Sequence, residues 1–197
     1  LLRRFMKTIH FGTASSIVWI SGLLDAWLYM AVYAVKAFLP IYGLIEGFNV
    51  LEVGIFFAVQ ESIHLATNPI GGRIGDKVGH LLIIVSGMVV MAASMFMLPS
   101  ANHLFSLLSI ASTIGLAEAM VFPSTLAIVS LRFHKRGVAT GMATTGSLKN
   151  AGKIAGPVLA GFLITIFDYE ITLRAMGLSM AIFAVILFIG LRMKYNP

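Results

Sequence analysis

An all-α membrane protein of six transmembrane helices is the fold class this sequence predicts, on three observations. The 197 residues are 58% hydrophobic and only 11% charged, where a soluble domain carries about a quarter charged residues. The mean hydropathy of +0.94 leaves too little polar surface to cover a water-soluble globule. Six apolar stretches are each long enough to cross a bilayer, for which about 20 residues suffice, and no strand-like alternation competes with them.

The chain opens Leu1-Leu2 rather than on Met and is expected to be a fragment, with residues 1–16 as a cytoplasmic segment. The first span, 17–42, runs too long for the apolar core of a cleavable signal peptide. Asn49 and Glu52 have the spacing of a capping box, in which each satisfies an orphan amide of the other, and they open the second span at 53–72. A polar link from Arg73 to His80 leads to the third span, 81–98. That span offers only Ser86, Gly87 and Ser94 among apolar residues, so it is expected to be peripheral and lipid-facing. The fourth span, 104–131, the fifth, 138–166, and the sixth, 174–191, follow after links at Pro99–His103, Arg132–Gly137 and Phe167–Leu173. The six-helix domain is expected over 17–192, with a cytoplasmic tail at 193–197.

Orientation follows from the lysine and arginine bias of short loops. Arg3, Arg4, Lys7, Arg73, Lys77, Arg132, Lys135, Arg136, Arg192 and Lys194 fall on one side, and only Arg174 on the other. Both termini are therefore expected in the cytoplasm, as an even number of spans requires. The net charge of +6 is thus a topology signal; nucleic acid is not an expected partner, because the basic residues are split among four short segments rather than gathered in one patch. Zero cysteines exclude disulfides and thiolate metal sites, and no cofactor or metal is expected.

Six charged residues lie inside the spans: Asp25, Glu61 and Glu118, with Lys36, Lys149 and Lys153. Facing lipid, each costs about 2.5–3.5 kcal/mol, so six unpaired would cost roughly 15–20 kcal/mol, more than a typical protein's whole stability. They must pair, neutralise or line a wet cavity. At 100° per residue, Asp25 and Lys36 differ by only about 20° on the first helix, with Ser21 and Tyr29 on the same face. Gln60, Glu61, His64, Thr67 and Asn68 fit an arc of about 100° on the second, and Thr145, Lys149 and Lys153 share a face of the fifth with Gly152 and Gly156. Spans one, two, four and five are expected to surround a polar path, with three and six supporting them. Each group has a plainer role beside the functional one. Asp25 and Lys36 can be structural, with Lys36 snorkelling. Glu61 and His64 can be a satisfied pair. Glu118 can pair with a neighbouring lysine, and Lys149 and Lys153 can be such partners. If they are not, the two lysines make an anion-attracting patch. Trp19 and Trp27 are expected at the interface and in packing.

The link after the second span reads Gly72-Arg73-Ile74-Gly75-Asp76-Lys77-Val78-Gly79. It resembles the signature cytoplasmic loop of the major facilitator superfamily, Gly-x-Leu-small-Asp-basic-x-Gly-basic-basic, with His80 and Leu81 in place of the basic pair. On the fifth span, Gly152-x-x-x-Gly156-Pro157-x-x-Ala160-Gly161 resembles the superfamily's Gly-x-x-x-Gly-Pro-x-x-Gly-Gly motif. Arg136-Gly137-Val138-Ala139-Thr140-Gly141 resembles the family's entry to that helix. Small residues there let membrane helices approach closely, and Pro157 favours a bend.

The resemblance implies one half, a 3+3 repeat, of a twelve-helix fold that works by alternating access. The degenerate loop and a fourth span bearing Glu118 rather than arginine favour the C-terminal half, its partner being the N-terminal six-helix half. Asp25, Lys36, Glu61, His64, Glu118, Lys149 and Lys153 would line or support the path, Glu61 being first choice for proton coupling with His64 tuning it, and Glu118 second. Gly72, Gly75, Asp76, Lys77 and Gly79 would form the cytoplasmic gate, and Gly152, Gly156, Pro157 and Gly161 a packing and bending motif. The implied activity is secondary active transport of a small organic solute or drug across a bacterial inner-type plasma membrane, by proton-coupled efflux. The partners are then lipid, a small-molecule substrate and protons. Uptake of an organic anion bound by the membrane lysines is the rival within the family. An aquaporin-like channel would need two Asn-Pro-Ala half-helices, and only Asn68-Pro69 is present. An intramembrane protease would need a serine–base pair, and none is credible, so no enzyme is expected.

Overall fold

The computed structural model describes residues 13–132 and 137–195. Its helices are α1 (Thr13–Ile45), α2 (Val50–Val78), α3 (His80–Met97), α4 (Leu104–Arg132), α5 (Val138–Phe167) and α6 (Tyr169–Tyr195), with one 3₁₀ turn at Leu98–Ser100 after α3. All six are long and apolar enough to cross a membrane. Arg3, Arg4, Lys7, Lys135, Arg136 and most of the expected 1–16 segment lie outside the described residues, as do the side chains of Arg132, Arg192 and Lys194.

Local signals set the boundaries. Asn49 caps α2 with its side chain accepting from the Glu52 amide at 2.9 Å, while Glu52 accepts from the Asn49 amide at 2.8 Å. The expected link at Arg73–His80 is instead helical up to Val78, and Gly79 alone turns the chain, at φ +100°. Only glycine adopts that conformation at little cost. The link expected at Phe167–Leu173 likewise contracts to Asp168, so the sixth helix starts five residues earlier than its apolar pattern suggests. Asp168 sits at φ +71° and its Oδ1 accepts from the Ile171 amide at 3.0 Å, capping α6. Polar residues such as Tyr169, Glu170 and Arg174 mask that first turn; Glu170 and Arg174 form an ion pair at 2.5 Å.

The helices pair in a pattern that repeats after three. α1 packs most extensively on α5 and α2 on α4, and α3 packs on α6 and on α4. Shifting every helix by three converts the first pairing into the second, the relation expected of two three-helix units. Glycine makes the two main pairings possible. A Cβ on Gly152 or Gly156 would collide with the backbone of Ala26 or Met30, and one on Gly71 or Gly115 with the backbone of Ala119 or Gln60. Such backbone approach is how small residues hold helices together in lipid.

The expectation for the third span needs qualifying, because one face of α3 is enclosed while Leu81, Leu82, Val89, Phe96 and Met97 stay exposed on the other. α3 is the most enclosed of the six: Ile84, Met88, Met91 and Met95 are fully buried among α4 and α6. An all-apolar helix is as well suited to a dry core as to lipid, and periodicity alone does not separate the two. The exposed helices are instead α2 and α5, the ones that carry polar residues.

Candidate functional site

Two polar clusters lie midway along the helices, on either side of α1. The first joins α1, α2 and α4. Lys36 Nζ contacts Glu61 Oε1 at 2.5 Å, and Glu61 is half exposed. His64 lies one turn further along α2, with Nδ1 3.7 Å from Glu61 Oε2 and 3.8 Å from Glu118 Oε2. Glu118 is almost wholly buried, and its Oε1 accepts from Gln60 Nε2 at 2.6 Å. The plainer expectation for Glu118, an ion pair with a lysine, is therefore replaced by an amide and an imidazole. Gln60 and His64 reach it because they sit four apart on the face of α2 that meets α4, where Gly115 lets the backbones approach.

Three polar atoms along this face, Gln60 Oε1, His64 Nε2 and Asn68 Oδ1, are buried without a hydrogen-bond partner. Buried polar atoms are usually satisfied. A row of three spaced at four residues marks a strip of α2 with capacity left for further hydrogen bonds.

The second cluster joins α1, α4 and α5. Asp25 is fully buried, and both carboxylate oxygens lie 2.9 Å from Thr125 Oγ1, the hydroxyl that donates to them. Thr125 was not legible as a site residue, although it lies two turns beyond Glu118 and so within about 20° of it on the wheel. Lys149 Nζ sits 3.6 Å from the Phe122 ring centroid and 5.2 Å from that of Tyr29. Lys153 Nζ lies 5.1 Å from both Tyr29 and Tyr33, and Lys36 Nζ lies 5.0 Å from Tyr33. These aromatic faces, of which the sequence placed only Tyr29 on the polar face of α1, attract the ammonium groups through their quadrupoles. Lys149 and Lys153 are not ion-pair partners of the membrane acids: among the described residues no carboxylate lies within 4.0 Å of either.

The remaining sites separate from these clusters. Gly72, Gly75, Asp76 and Lys77 form the last turns of α2, ending at Gly79, and Asp76 Oδ1 lies 3.2 Å from His80 Nε2. His80, which stands where the motif has a basic residue, thus supplies a partner for the motif's acid within the turn. Gly152 and Gly156 are buried against α1 and the half-buried Gly161 faces the Phe38 ring, while α5 continues through Pro157. Trp27 stacks on Phe183 with 6.3 Å between ring centroids, and Trp19 is exposed.

Comparison with known proteins adds to this geometry. The family model described as Major Facilitator Superfamily matches residues 18–197. Quinolone resistance protein NorA of Staphylococcus aureus is 27% identical over 137 residues, which are 69% of this chain and 35% of that protein. An uncharacterized MFS-type transporter of Methanocaldococcus jannaschii is 24% identical over 164 residues, 82% of this chain and 40% of its own length. The matches span well under half of either relative.

Proposed function

This chain belongs to the Major Facilitator Superfamily, a family of transporters rather than enzymes, and from that premise we propose that it forms the proton-coupling half of a transporter that exports a small organic solute. The chain is a multi-pass membrane domain. Its partner in the proposal is a second six-helix half, set against the exposed sides of α2 and α5, in a plasma membrane with both termini of this chain cytoplasmic. The similarity to a quinolone resistance protein supports the direction and the class of solute.

One observation carries the coupling role: the chain of contacts Lys36–Glu61–His64–Glu118 leads from a half-exposed carboxylate to a buried one through a single imidazole. One ring nitrogen, Nδ1, approaches both carboxylates, so a proton on it can serve either. Histidine is suited to this because its ordinary titration lies near neutrality. Lys36 holds Glu61 toward the open side until a proton displaces that contact. Alternating access then follows if the two halves rock about this midplane site.

The test is transport by the full-length protein in proteoliposomes under an imposed pH gradient. Glu61→Gln is expected to abolish gradient-driven transport while leaving membrane insertion and gradient-independent exchange in place. Normal proton-coupled accumulation in that variant would remove Glu61 from the coupling role.

A further inference from the structure

We propose that Lys149 and Lys153 capture an oxyanion, a carboxylate or its equivalent, on the transported solute. The proposal rests on the transport reading above and narrows its substrate class. The two ammonium groups lie within 5.2 Å of one ring centroid, that of Tyr29, on the half-exposed face of α5. They sit at i and i+4 on one helix, where like charges are mutually destabilising. Neither has a carboxylate within 4.0 Å among the described residues. Both lie near the middle of α5, at a depth where ionisable side chains are rare and are usually paired.

The acids nearby are committed elsewhere. Asp25, the closest in sequence register on α1, is fully buried and held by Thr125. Glu118 is held by Gln60, and Glu61 by Lys36. The Tyr29, Tyr33 and Phe122 rings steady the lysines without neutralising them, because a ring face supplies attraction but no counter-charge. An anion placed between the two ammonium groups relieves their repulsion and their desolvation together. The open side of α5 leaves it a way in: a Cβ built on Gly146, one turn before Lys149, meets nothing within 4 Å.

The experiment uses the purified full-length protein in lipid nanodiscs and three probes of matched shape: naphthoate, naphthalenemethanol and naphthylmethylammonium. Equilibrium binding is measured for each. Naphthoate is expected to bind at least about tenfold more tightly than the alcohol, a difference of roughly 1.4 kcal/mol. The double variant Lys149→Gln, Lys153→Gln is expected to bring naphthoate to the affinity of the alcohol and leave the alcohol's own affinity unchanged. The double variant Lys149→Arg, Lys153→Arg, which keeps both charges, is expected to keep the preference and serves as the check on folding. Equal binding of acid and alcohol, tighter binding of the ammonium probe, or no detectable naphthoate binding would each overturn the proposal. Counterflow in proteoliposomes separates it from the transport reading. Lysine-dependent naphthoate binding without counterflow sinks transport alone, and counterflow of the ammonium probe without naphthoate binding sinks the anion site alone.

Discussion

Glu118 shows how much a single buried carboxyl depends on its neighbours. It is the one acid of α4, stands at the middle of that helix and would be untenable facing lipid; instead it accepts from Gln60 and approaches His64. Replacement by an isosteric amide and by alanine should therefore differ. Glu118→Gln can still bond Gln60 and is expected to fold with near-normal thermal stability but to lose proton-driven transport. Glu118→Ala leaves the Gln60 amide buried without a partner, a loss of about 1–3 kcal/mol, and should lower the melting temperature as well. Equal melting of the two variants would mean that the Gln60 contact contributes little.

At the scale of elements, α1 and α5 are held together by glycine rather than by side-chain volume. Gly156 sits against the Met30 carbonyl, whereas Gly146, on the same helix, faces open space. Gly156→Ala should cost about 2 kcal/mol through overpacking. Gly146→Ala should be neutral or stabilising, since alanine is the better helix former by about 0.5–1 kcal/mol. Thermal unfolding of the two variants in the same detergent compares them directly, and an equal shift would show that the close approach is dispensable. The Gly-x-x-x-Gly spacing announced this contact in the sequence. It did not announce that Gly71 and Gly115 do the same for α2 and α4, because those glycines lie on separate helices and only packing brings them to one crossing.

In the whole molecule, the polar mid-helix residues are gathered along α1, α2, α4 and α5, while α3 and α6 pack behind. The exposed side of α2 and α5 should then be wet in the intact protein. The absence of cysteine from this sequence permits a clean labelling test. Single cysteines at Ala58, one turn before Glu61, and at Gly146, one turn before Lys149, are expected to react with a membrane-impermeant maleimide. A cysteine at Ala92, buried in α3, is expected to stay unlabelled until the protein is unfolded. Protection of Ala58→Cys and Gly146→Cys to the level of Ala92→Cys would place lipid or a dry interface on that side. Six spans, their order, the α2 cap and the polar helices were all determined by the sequence, since each rests on local periodicity, length or a short-range hydrogen-bonding pattern. Charges at membrane depth also required a shared interior, because lipid offers them no partner. Tertiary structure alone decided which charge meets which: Lys36 pairs with Glu61, Glu118 with Gln60 and His64, Asp25 with Thr125, and Lys149 and Lys153 with aromatic rings. It also decided that α3 buries one face against α4 and α6 while Leu82, Val89 and Phe96 keep another apolar face open. Partners far apart in sequence are chosen by helix rotation and crossing, and an apolar helix reads alike whether protein or lipid surrounds it.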